Sequence, residues 1–124
     1  MTRNEFVETY FKTAKRILMC AEKARREGLF SLEKELSSEK ADERDIFEYG
    51  LRFAIDGVDP EIIGKILSNI IAQEKDEYAR LLKTIQMEGV LRIQEGVNMR
   101  LLHCLLNSYT DLSLKEDAPQ SSLD

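Results

Sequence analysis

The sequence predicts an all-α domain, and three observations carry that reading. Apolar residues recur at spacings of three and four over most of the chain, the signature of helices with one buried stripe. Only two prolines and six glycines interrupt 124 residues, while 43% of the chain is hydrophobic and 33% is charged, as in a water-exposed helical protein. No stretch alternates apolar and polar residues with the period of a strand. A chain of this length forms one core, expected over residues 1–110, with a polar, acidic tail over 111–124 expected to be disordered.

The first helix is expected from Asn4 to Glu27. Phe6, Tyr10, Ala14, Ile17, Leu18, Ala21 and Ala24 form its stripe. Gly28 closes it after Arg25 and Arg26, cations suited to the negative end of a helix dipole. Leu29, Leu32 and Leu36 then mark a short helix over Ser31 to Ser37, with Ser31 as its expected cap. Ser37 to Glu43 reads as a loop, and a third helix from Glu43 to Ile55 presents Ile46, Phe47, Gly50, Leu51 and Ala54.

Gly57 stops that helix, and Asp59-Pro60-Glu61 opens the next: Asp59 accepts from free backbone N–H groups, proline suits the first helical position, and Glu61 meets the positive end of the dipole. Ile62, Ile63, Ile66, Leu67, Ile70, Ile71, Tyr78, Leu81, Leu82 and Ile85 follow as one apolar run. Read as one helix through Gln94 it would extend roughly 54 Å, more than a small domain accommodates. The expectation is a break near Gly89, or a protruding helix whose apolar face packs on another copy of the chain as a homo-oligomer. Gly96 ends the stretch, and Asn98 caps a last helix to Tyr109 with Leu101, Leu102, Leu105 and Leu106 on its apolar face.

Charge narrows the partners. The net charge of −5 argues against nucleic acid, which needs a basic face. Residues 1–28 nevertheless carry +3 and the rest −8, so a basic start faces an acidic body. The start lacks the apolar core of a signal peptide. The longest run free of Asp, Glu, Lys and Arg, Leu101 to Thr110, is far short of the roughly 20 apolar residues of a membrane span. The expected place is the cytoplasm, or the inner face of the membrane as a peripheral protein.

Catalytic and metal chemistry find no pattern. Cys20 and Cys104 lack metal-ligand spacing and read as reduced core thiols. His103 adjoins Cys104, but neighbours on a helix point about 100° apart and make no dyad. Asp56-Gly57-Val58-Asp59 lacks the alternating oxygens that calcium needs, and no glycine loop precedes a Lys-Ser/Thr pair for phosphate. The chain is therefore read as non-enzymatic, with no catalytic, cofactor or metal residues. What remains is a dense group of charges around Gly28: Arg25, Arg26, Glu27, Glu33, Lys34 and Glu35. Corner loops on a helical scaffold can present such charges rigidly to a partner, where they set specificity and association rate.

Three blocks of sequence support that reading. Ala24-Arg25-Arg26-Glu27-Gly28-Leu29-Phe30-Ser31-Leu32-Glu33, then Gly50-Leu51 with Asp56-Gly57-Val58-Asp59-Pro60, then Glu88-Gly89-Val90-Leu91-Arg92-Ile93-Gln94-Glu95-Gly96-Val97-Asn98 resemble, in that order, the cytoplasmic part of the flagellar motor stator proteins of the MotA/TolQ/ExbB family. The resemblance covers residues 14–109. It implies a motility and chemotaxis setting and docking on the rotor switch protein FliG. Alignment on the corner glycine puts the family's rotor-facing arginine and glutamate at Arg25 and Glu33, with Arg26 and Lys34 as lesser candidates. The family's membrane helices are missing here, so its proton channel is not implied, and Met99 stands where the family has proline. The alternative reading is a self-assembling helical scaffold that never touches the rotor.

Overall fold

A computed structural model describes residues 1–37 and 44–112. The described chain is all helical. Five α-helices, α1 (Arg3–Glu27), α2 (Ile46–Ile55), α3 (Pro60–Ile71), α4 (Glu77–Glu95) and α5 (Met99–Asn107), are joined by a 3-10 helix, Leu29–Glu35, between α1 and α2. The loop expected after Ser37 and the tail beyond Leu112 lie outside the described residues.

Local chemistry sets the helix ends. Thr2 and Glu5 form a reciprocal capping box at the start of α1, with Thr2 N–H donating to Glu5 Oε1 at 2.8 Å and Glu5 N–H donating to Thr2 Oγ1 at 3.1 Å. Asp45 caps α2, Asp59 caps α3 ahead of Pro60, and Asn98 caps α5 by accepting from Leu101 N–H at 2.8 Å. Gly96 ends α4 in the left-handed conformation, which leaves its N–H free to reach the Arg92 and Ile93 carbonyls.

Two expectations change at the middle of the chain. The helix that begins near Asp59 does not run to Gln94, and it does not break at Gly89. It stops at Ile71, and α4 begins at Glu77. Asp76 is the reason: its carboxylate accepts from Tyr78 N–H at 2.9 Å and Ala79 N–H at 3.2 Å, capping a new helix. Between Ile71 and Tyr78 no large apolar residue supplies an anchor, so nothing holds a continuous stripe there. The connection is secured instead by Glu74, which takes Lys83 in an ion pair at 2.9 Å and gives its carbonyl to Arg80. The fold-back buries Ile63, Leu67, Ile71, Leu82 and Ile85 of that apolar run within one chain, while Ile62 stays half exposed.

The spine of the fold is α4, which packs against each of the other four α-helices. Gly89 lies inside it, buried, because α1 crosses there. A Cβ on Gly89 would stand 2.9 Å from three carbons of Ile17, closer than packed atoms approach. Gly50 plays the same part for α2, where a Cβ would meet Val90 at 2.9 Å and Leu67 at 3.0 Å. Around these crossings Phe6, Tyr10, Phe47, Leu51, Leu102 and Leu106 are almost completely buried. Tyr10 keeps its hydroxyl satisfied by donating to the Leu106 carbonyl at 3.4 Å, and the Phe6 ring stacks on Tyr78 at 4.8 Å. Arg3 pairs with Asp111 at 3.2 Å, and Leu112 packs against the core.

Candidate protein-docking surface at the Gly28 corner

The chain turns sharply at Gly28, whose φ of 92° and ψ of 158° fall in a region that is essentially glycine's alone. Its N–H closes α1 on the Ala24 carbonyl at 2.8 Å, and its own carbonyl accepts from Ser31 N–H and Ser31 Oγ. The segment that follows is a 3-10 helix beginning at Leu29 rather than an α-helix capped by Ser31; Ser31 sits within it and donates back instead of accepting. Seven residues in the tighter winding place Leu32 in the core, fully buried, and turn the neighbouring side chains outward. Lys23 of α1 pins the far end by an ion pair to Glu35 at 2.6 Å, which raises the lysine pKa and lowers that of the carboxyl.

The four residues singled out by sequence are all exposed, and the corner brings them to one end of the molecule without joining them to each other. Arg25 donates from Nη1 to the Val97 carbonyl at 3.2 Å, so it ties the end of α1 to the α4–α5 corner and does not stand free. Arg26 lies 3.7 Å from the carboxylate of Glu27, a loose pair between two largely exposed chains. Glu33 and Lys34 take no ion-pair partner among the described residues.

One residue that charge-based reading passes over is Phe30. It is 73% exposed, more than any other large apolar side chain described, and it stands on the same 3-10 helix as Glu33 and Lys34. Phe30 and Glu33 form one side of a cleft of about 320 Å³ whose opposite wall is α2, with Tyr49, Arg52 and Phe53. The Tyr49 and Phe53 rings pack edge to face at 4.9 Å, and Arg52 is held to the Glu48 carboxylate at 3.1 Å and to the Ser37 carbonyl. Burial alone would push the Glu48 carboxyl up, but the Ser37 N–H and the Arg52 guanidinium hold it below its ordinary value. The cue for Phe30 was available: an aromatic after Gly28-Leu29 that fits no helical stripe.

Elsewhere the groups with chemical potential are apart. Cys20 is buried, and Cys104, expected in the core, is exposed. His103 is 95% buried with no partner for either ring nitrogen among the described residues, and burial lowers its pKa. Tyr109 donates to Glu88 at 2.6 Å; burial first, and then that carboxylate, push the phenol up to about 12. No three His, Cys, Asp or Glu side chains gather as a metal set among the described residues, and no helix of the described residues is long and apolar enough to cross a membrane. Compared with family models, curated proteins and solved structures, the chain finds no match.

Proposed function

We propose that this chain is a non-catalytic docking domain whose working surface is the Gly28 corner, in the manner of the stator cytoplasmic region that its sequence resembles. The observation that carries the proposal is Phe30: a largely exposed aromatic ring on a short helix locked at both ends, flanked by Glu33 and Lys34, which have no ion-pair partner among the described residues, and opening onto an aromatic cleft. Exposed aromatics surrounded by charge are the usual anchors of protein interfaces, the ring supplying affinity and the charges orientation. The resemblance names the flagellar rotor switch protein FliG as the partner. On this reading the chain contributes no proton path.

The test is calorimetric titration of the domain with purified FliG at two salt concentrations, using wild type, the Arg25→Glu, Glu33→Lys double variant, and Phe30→Ala. Saturable binding that weakens with salt and with each variant is the expected result. A flat trace from folded protein overturns rotor docking. Oligomerisation indifferent to all three changes would then favour the self-assembling scaffold, for which Ile62 on α3, half exposed, is the available contact.

A further inference from the structure

A second groove of about 320 Å³ lies on the other side of the 3-10 helix, between α1 and α2. Leu36 is the wall it shares with the Phe30 cleft. Its floor is apolar: Cys20, Phe47 and Leu51 reach it from the core, each less than a tenth exposed. Met19 is also part of its lining and is 61% exposed, an unbranched thioether that can fold onto whatever enters.

The lip is cationic in an acidic protein. Lys12, Lys15 and Arg16 line it along α1, against one carboxylate, Glu35. Glu35 is already neutralised by Lys23 at 2.6 Å. Arg16 is likewise committed, to Asp45 at 3.4 Å and Glu48 at 3.5 Å, with its guanidinium 4.9 Å from the Phe47 ring centre. Lys15 has no ion-pair partner among the described residues. Lys12 has only Glu8 at 3.4 Å, both chains more than two-thirds exposed, an arrangement worth little in water. The groove thus joins an apolar floor to two lysines on one edge, Lys15 without an ion-pair partner among the described residues and Lys12 in a weak, water-exposed pair.

We infer that this groove binds an acidic peptide segment of a partner protein, seating one bulky apolar side chain against Met19, Phe47 and Leu51 while its carboxylates face Lys12 and Lys15. The volume suits an inserted side chain, at the small end of what a ligand pocket offers. A concave apolar floor fits a peptide better than a lipid surface, which would lie flat across it. Two open lysines on a chain of net charge −5 fall short of the basic stripe a nucleic acid demands.

The experiment uses the whole chain and a fluorescent, acidic amphipathic peptide of about 14 residues, glutamates on one helical face and Leu and Phe at i, i+3 and i+4 on the other. Anisotropy at about 50 and 300 mM salt gives affinity. The Met19 methyl signal in methyl-labelled protein reports occupancy. The expected result is saturable binding that moves the Met19 methyl and weakens about tenfold or more in Lys12→Glu, Lys15→Glu. Binding unchanged in Arg25→Glu, Glu33→Lys separates this groove from the corner, whichever of the two survives its own test. Four outcomes overturn the inference: no saturation, equal binding by a peptide with Ser for Leu and Phe, a stationary Met19 methyl, or lysine-dependent binding to phosphatidylserine vesicles without peptide binding. Both lysines are largely exposed, so the charge-reversed variant keeps its fold, as its unchanged helical circular dichroism will show.

Discussion

The α1–α4 crossing and the Gly28 corner each turn on a glycine, and they use it for opposite reasons. At Gly89 the backbone is ordinary helix and what matters is space, because Ile17 occupies the volume a Cβ would need. At Gly28 space is open, with nothing within 4 Å of an added Cβ, and what matters is the dihedral angle. One glycine lets two helices touch; the other lets the chain leave a helix and display Phe30. The contrast separates the part of the molecule that makes it fold from the part that faces outward, and each can be broken without the other.

The largest effect belongs to the crossing. Ile17→Ala deletes a fully buried side chain at the centre of the core and should cost about 2–5 kcal/mol in denaturant unfolding, with Phe30→Ala beside it changing stability by no more than about 0.5 kcal/mol. If the two losses were equal, the division between core and display surface would be wrong. Next is Gly89→Ala, expected to destabilise by about 1–3 kcal/mol of overpacking, less the roughly 1 kcal/mol that alanine returns in helix propensity. Combined with Ile17→Val, which removes one of the three carbons crowding the added Cβ, it should recover part of the loss, and a double-mutant cycle measures that coupling.

Gly28→Ala should cost about 1–3 kcal/mol through the backbone conformation alone. Its signature is that no second change nearby rescues it, since no neighbour crowds the site. A smaller effect comes from pH. Buried His103 binds a proton less readily folded than unfolded, so stability is full above the unfolded pKa near 6.5 and declines as pH falls below it, until the folded histidine also protonates. The decline should be shallower in His103→Leu between about pH 7 and 5, above the range where carboxylates titrate, and identical slopes in the two proteins would contradict a neutral buried imidazole. Smallest of all, Arg25→Ala should lose about 0–1 kcal/mol, because its bond to the Val97 carbonyl is exposed to water.

Much of this was legible along the chain. Asp59-Pro60, Gly96 with Asn98, and the basic end of α1 at Gly28 are local devices, decided within one turn of backbone, and all act in the structure as their residues imply. The division of the helix beginning near Asp59 was less legible. Asp76 is a competent cap, yet Gln73, Glu74 and Lys75 are all good helix formers, so local propensity alone does not end the helix at Ile71. Of the candidate surface, the exposure of Arg25, Arg26, Glu33 and Lys34 followed from their charge. Phe30 did not, because an aromatic residue is assigned to a core by default.

An all-helical chain, the places where most of its helices begin and end, and a cluster of charge at one corner follow from neighbouring residues, because capping, glycine dihedrals and apolar periodicity act over three or four residues. That α4 is the spine, that Gly89 serves a crossing instead of a break, that Arg25 is tied to Val97, and that Phe30 stands outside while Leu32 goes in emerge from packing across the whole domain. Those outcomes depend on which surfaces meet, and residues far apart along the chain meet only when the whole core closes.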